Sequence, residues 1–313
     1  MELRQIRHFL EIVRCSSFGQ AAERLHVTQP ALSKSIRNLE HSLGVKLLER
    51  HPNGVVPTDY GELFLEYASL IAAEIDRAKA EIEQMKGTGR GVVRVGAGAT
   101  ILQYLIPQAV RAFMAQGTDS AVTFRQGLRD ELIACLRRGE VDIIVGAIAP
   151  SGAEEDDEFR RERVLRDTIV VVASETHPLA HAQSVSIADI AGYRWVLPEG
   201  TENERDRLAR VLRSEGFEQP DCVITTPSSN FMSTMLQGSD YLSYLPEALL
   251  NGEGNYAHLK RIAIERPIWD PVDVGVIYRR RGIMLRPVRR FINRLVEAGA
   301  TIEQEMGTAE ARA

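Results

Sequence analysis

The stretch from Ser17 to Arg37, SFGQAAERLHVTQPALSKSIR, constrains this chain most, because it encodes two short helices and a tight turn between them. Ser17 and Gln20 stand at capping-box spacing, in which each residue satisfies a free amide at a helix start. The spacing predicts a helix from about Phe18 to about His26. Thr28 can cap a second helix, and Pro30 sits in its first turn, where the amide it lacks has no partner to lose. Leu32, Ile36, Leu39 and Leu43 recur at steps of four, three and four, an apolar stripe that must pack on Ala22 and Leu25. Gln29, Ser33, Lys34 and Arg37 are left on the opposite face.

That outward set suits the major groove of DNA, since Gln pairs bidentately with adenine, Arg with guanine, and Ser with either edge. Any amphipathic surface helix can carry such residues on its wet face, so the surrounding positions must distinguish the two cases. The window Ser17-x-x-x-Ala21-Ala22-x-x-Leu25-x-x-Thr28-Gln29-Pro30-Ala31-Leu32-Ser33-x-x-Ile36-x-x-Leu39-Glu40-x-x-Leu43-Gly44 closely resembles the signature of the LysR-type transcriptional regulators. The likeness extends more weakly over most of the chain. It implies a bacterial, sequence-specific regulator of transcription.

The 313 residues suggest two or three units, enough to bury real cores. A net charge of −5 argues against a nonspecific nucleic-acid coat, but the charge is unevenly spread. Residues 1 to 58 hold eight Lys/Arg and five acids, so a +3 module rides on a −8 body. Cys15, Cys135 and Cys222 are odd in number and lack CxxC spacing, which indicates buried free thiols; a redox pair of Cys135 and Cys222 is the alternative. No apolar run approaches the ~20 residues that span a bilayer, and MELRQIRHFL lacks a signal-peptide pattern. A cytoplasmic protein is expected.

A helix from about Leu3 to Cys15, with Ile6, Phe9, Leu10 and Val13 at helical spacing, should complete the helix-turn-helix core. Beyond Gly44, two short strands around Asn53-Gly54 read as a wing. The resembling wing in LysR-type proteins carries Arg at the position of Arg50 and often a second at the position of Asn53. Only the first is present here, and Arg50 is expected at phosphate or the minor groove. The candidate DNA-binding residues are Ser17, Thr28, Gln29, Pro30, Ser33, Lys34, Arg37 and Arg50.

From Thr58 about thirty residues rich in Ala, Glu, Leu and Ile, without Pro, predict one long helix closing on Gly87. Tyr60, Phe64, Tyr67, Ile71, Ile75, Ala78, Ile82 and Met85 form its seam. The length of the seam and its place between two modules favour an intermolecular coiled coil over a helix laid on its own domain. The resemblance agrees: family members dimerise through this linker helix and usually form tetramers.

After a hinge at Gly87–Gly91, strands and helices alternate, which implies a parallel sheet with helices on its faces. Two α/β halves joined by crossing strands follow, and the resemblance specifies a periplasmic-binding-protein-like effector domain. The expected division is 1–58 winged helix-turn-helix, 59–87 linker, 91–166 with 268–303 first effector subdomain, and 167–267 second. Ligands of open α/β sheets bind beyond the strand C-termini, where helix starts offer free amides. The candidates there are Thr100, Gly127, Leu128, Arg129 and Gly146 from one half, with Pro198, Thr201, Ser228, Ser229 and Asn230 from the other. Thr100 matches the family position of an effector-binding hydroxyl, whereas Gly127-Leu128-Arg129-Asp130 lacks the hydroxyl common in that loop. Thr100, Thr201, Ser229 and Asn230 could equally be plain helix caps.

Enzyme readings find little support. Gly96-Ala97-Gly98-Ala99-Thr100-Ile101 begins like a dinucleotide fingerprint, but Ile101 stands where the third glycine belongs. His177 and His181 are separated by Pro178, which breaks the helix that would align a metal pair, and Glu154–Glu158 lacks calcium-loop spacing. No metal or cofactor is expected. The expected partners are promoter DNA, a small-molecule effector, a second copy through the linker helix, and RNA polymerase, with no membrane. The competing reading is a solute-binding or catalytic α/β domain whose N-terminal helices only dimerise it.

Overall fold

The computed structural model describes residues 1–52, 54–86, 90–117, 119–148, 158–250 and 254–310. Its chain divides into two compact units, Met1–Val92 with Asp119–Ala121 and Ile133–Asp142, and Val93–Thr118 with Val122–Leu132 and Ile143–Ala313. Helices α1 (Leu3–Cys15), α2 (Phe18–Arg24) and α3 (Gln29–Leu43) precede the hairpin β1 (Leu48–His51) and β2 (Gly54–Pro57) and the long α4 (Asp59–Met85).

Ile6, Phe9 and Ile12 of α1, Ala21 and Ala22 of α2, and Leu32, Ile36 and Leu39 of α3 make one buried core. The Ser17 hydroxyl accepts from the Gln20 amide at 3.4 Å, and that of Thr28 from the Ala31 amide at 3.4 Å. Helix α2 ends at Arg24, before the expected His26, which takes φ 52° to make the turn. Leu43 leaves the expected stripe and is 39% exposed, because Gly44 at φ 72° ends α3 in a left-handed cap.

In the wing, Arg50 pairs with Val55 and His51 with Gly54. Asn53, expected in the turn, lies outside the described residues, as do Gly87, Thr88 and Gly89 of the expected hinge and Glu154–Asp157 of the acidic run. The Val55 amide donates to the Ser16 carbonyl at 2.8 Å. The seam of α4 divides: Phe64 and Ile71, with Leu65 and Ala68, pack on the unit's own core, Phe64 meeting Phe9 edge-on at 5.0 Å. Tyr60, Tyr67, Ile82 and Met85 remain exposed, so only this part of the stripe is free of the unit's own core.

The second unit contains β3 (Val92–Ala97), α5 (Leu105–Met114), β4 (Ala121–Gln126), α6 (Arg129–Arg137), β5 (Ile143–Ala147) and β6 (Phe159–Asp167), some of whose ends fall in the first. There follow β7 (Ile169–Ser174), α7 (Ile187–Ala191), β8 (Arg194–Pro198), α8 (Glu202–Ser214), β9 (Asp221–Thr226), α9 (Ser229–Leu236), β10 (Ser243–Pro246), β11 (Leu259–Arg261), β12 (Val272–Arg279) and α10 (Arg286–Glu310). A five-stranded sheet runs β4-β3-β5-β12-β6, and another of three strands runs β10-β7-β11. Strands β3 and β5 are parallel, but β12 returns antiparallel to both β5 and β6, so the first sheet is mixed rather than parallel. Strand β7 is covered on both faces, Val170 and Val172 in one core and Val171 and Ala173 in another, as its unbroken apolar run requires.

Candidate nucleic-acid interface and effector cleft

Gln29, Pro30, Lys34 and Arg37 are exposed along α3, with Thr28 exposed at its cap and Ser33 half-buried. They share one helix face, and the Arg37 Nε turns back to the Ser33 carbonyl at 3.4 Å. Ser17 is half-buried at the start of α2. Arg50 comes from the wing, and its guanidinium lies 5.2 Å from the centre of the Phe18 ring, which orients it by cation–π attraction. A shallow groove along the second half of α3 is lined by Lys34, Arg37, Asn38, His41 and Lys46 among others. Cationic side chains in a groove beside a helix of major-groove length are suited to phosphate.

In the second unit the two lobes meet at the ends of β3, β4, β8 and β9. The Gln103 amide donates to the Ser229 hydroxyl, and the Tyr256 phenol donates to Gln103 Oε1 at 2.7 Å. Neither Gln103 nor Tyr256 is predicted from the sequence. Leu128 presses on Gly200, where an added Cβ would lie 2.6 Å from the Leu128 side chain. The Glu131 carboxylate accepts from the Leu128 amide at 3.2 Å and crowds Gly127, while Arg129 donates to the Ala147 carbonyl at 2.6 Å.

Several candidates stand differently from expectation. Thr100 opens no helix: it lies within a turn over 99–104, in which the Gln103 backbone amide donates to the Thr100 carbonyl at 2.9 Å, and α5 begins at Leu105. Gly146 lies inside β5, paired with Gly275, rather than beyond its end. Thr201 precedes α8 but does not cap it. Its hydroxyl donates to the Pro198 carbonyl at 2.9 Å and accepts from the Tyr244 phenol at 2.7 Å. Burial pushes that phenol up to about 12. Ser228 is the cap of α9, accepting from the Phe231 amide at 3.2 Å, and exposed Asn230 accepts from Asn255 at 3.1 Å. Among the described residues no group of three or more His, Cys, Asp or Glu could hold a metal ion, and no helix is long and apolar enough to cross a membrane.

A winged helix-turn-helix joined by a long helix to a two-lobed α/β domain defines a DNA-binding regulator with an effector-binding domain. Residues 3–62 match the family described as bacterial regulatory helix-turn-helix protein, lysR family, and residues 86–300 match the LysR substrate binding domain. The chain belongs to the LysR family of transcriptional regulators. It is 31% identical to the regulator PcaQ of Agrobacterium fabrum (strain C58 / ATCC 33970) over 80% of each chain. It is 25% identical to the dual regulator OxyR of Escherichia coli (strain K12) over 95% of this chain and 94% of that one. The fold is also that of CbnR, a LysR family regulator, with a TM-score of 0.68 at 20% identity over 96% of this chain and 99% of that one. A second CbnR structure, complexed with target DNA, has a TM-score of 0.66 at 20% identity over 95% of this chain and 100% of that one. These relatives are regulators, not enzymes, and the catalytic reading is discarded.

Proposed function

We propose that this regulator binds a small-molecule effector between the lobes of its second unit. Dimers formed through α4 assemble into tetramers on promoter DNA in the cytoplasm, with RNA polymerase as a further partner. The functional division is 1–58 for DNA, 59–87 for dimerisation, and 91–166 with 268–303 facing 167–267 across the cleft. Ser17, Thr28, Gln29, Pro30, Ser33, Lys34, Arg37 and Arg50 face the DNA. The effector meets Thr100, Gly127, Leu128, Arg129, Gly146, Pro198, Thr201, Ser228, Ser229 and Asn230. The observation that carries this reading is the Gln103–Ser229 bond, a polar bridge between strand ends of different lobes that a ligand's polar atoms can replace. An effector biases the assembly only by its differential affinity for two arrangements.

Thermal unfolding of the full chain against a panel of small acids, sugars and sugar acids tests the cleft. A ligand at about a hundred times its Kd adds about 2.7 kcal/mol. That gain should vanish in Gln103→Ala and Ser229→Ala. A gain retained in both would place the effector elsewhere.

A further inference from the structure

Glu40 is a carboxylate on α3 turned away from solvent, its side chain 8% exposed. Oε1 accepts from the Leu47 amide at 2.9 Å and the Leu48 amide at 3.4 Å, and Oε2 accepts from Lys46 Nζ at 3.0 Å. All three donors lie at the root of β1, the strand that carries Arg50. The same root is held from its other side by the start of α4. Thr58 Oγ1 donates to the Lys46 carbonyl at 2.7 Å, and the Thr58 amide donates to the Leu47 carbonyl at 3.0 Å.

Lys46 is 74% exposed, so its ion pair with Glu40 is screened by solvent and adds little to stability. A buried carboxylate does impose direction, since its oxygens must meet donors. Two strands of four residues are too small a hairpin to hold an orientation unaided. Without Glu40, the Leu47 and Leu48 amides would lose the acceptor that ties them to α3.

We propose that Glu40 is a positioning residue for DNA recognition: it fixes the wing, and with it Arg50, relative to the base-reading face of α3. Gln29, Ser33, Lys34 and Arg37 stand on the same helix, so one carboxylate sets the offset between the two groups that meet the duplex. Glutamine at this position offers one acceptor oxygen and turns an amide donor toward Lys46. Aspartate keeps the charge but is one methylene short of the amides.

The test is a double-mutant cycle with the full chain and a DNA fragment from upstream of its own gene, titrated over a range of salt. In the wild-type background Arg50→Ala should weaken binding about ten-fold and lower the salt slope by about one. Glu40→Gln alone should reproduce most of that loss while leaving the base preference read by Arg37 unchanged. Adding Arg50→Ala to Glu40→Gln should then cost less than about two-fold. If Arg50→Ala costs the same factor in both backgrounds, the wing is placed without Glu40 and the proposal fails. Glu40→Asp carries the same comparison should Glu40→Gln not fold, and a full Arg50→Ala effect in that background overturns the proposal equally.

Discussion

His8 is buried between helices, with Nδ1 2.7 Å from the Ser35 hydroxyl of α3. Burial, and then the nearby Arg4 charge, holds its pKa below the ordinary 6.5. His177 is also buried, against the Tyr193 ring, and burial lowers its pKa below 6.5 despite an opposing contribution from Asp240. Both rings therefore take up protons less readily in the folded chain than in the unfolded one. Their stabilisation is intact above 6.5 and is lost progressively as pH falls below that value. Chemical denaturation from about pH 7.5 to about pH 5.5 should show falling stability, and His8→Gln with His177→Gln should flatten the fall. The caps at Ser17 and Thr28 are legible in sequence because donor and acceptor are three residues apart. Gln103 and Ser229 are separated by 126 positions, and Gln103 and Tyr256 by 153, so no local pattern announces them. Thr201 misleads for the same reason: its hydroxyl answers to Tyr244 across the lobe rather than to its own helix.

At the scale of elements, periodicity finds α1, α3 and α4, whose apolar faces repeat over ten or more residues. It misses β6, whose sequence FRRERVLRD looks solvated because four consecutive charged residues separate the buried Phe159 from the buried Val164 and Leu165. Tertiary partners hide Arg77 equally well. On α4 it sits among acids and alanines, yet it is 5% exposed, with Asp142 at 2.6 Å, Glu74 at 2.5 Å and the Gly139 carbonyl at 3.1 Å. The ion pair ties the linker helix to the segment leading into β5. Arg77→Met should cost about 3 to 5 kcal/mol, because it removes a buried guanidinium together with its bonds to Asp142, Glu74 and the Gly139 carbonyl. Arg77→Met with Asp142→Leu should recover much of that loss, and urea midpoints of the three proteins measure the difference.

For the whole molecule, α4 has two kinds of apolar residue. Those of its first half that face α1 are consumed by the core, whereas Tyr60, Leu63 and Tyr67 are 59%, 58% and 62% exposed. Three large side chains within two turns form a patch of the kind that marks an interaction surface. Leu63→Glu with Tyr67→Glu should convert the protein to monomers in sedimentation velocity and abolish tight binding to paired half-sites, while the thermal midpoint changes little.

Where the wing meets the linker, an added Cβ on Gly61 would lie 2.0 Å from the Leu47 carbonyl, and Thr58 bonds on both sides of the same joint. No compliant layer separates the two. A rotation of the first turns of α4 should therefore carry the wing with it. On the proposed function, what an effector would tune through such a joint is the angle at which two heads present themselves, and so the curvature demanded of the duplex, while the bases each head prefers would stay the same.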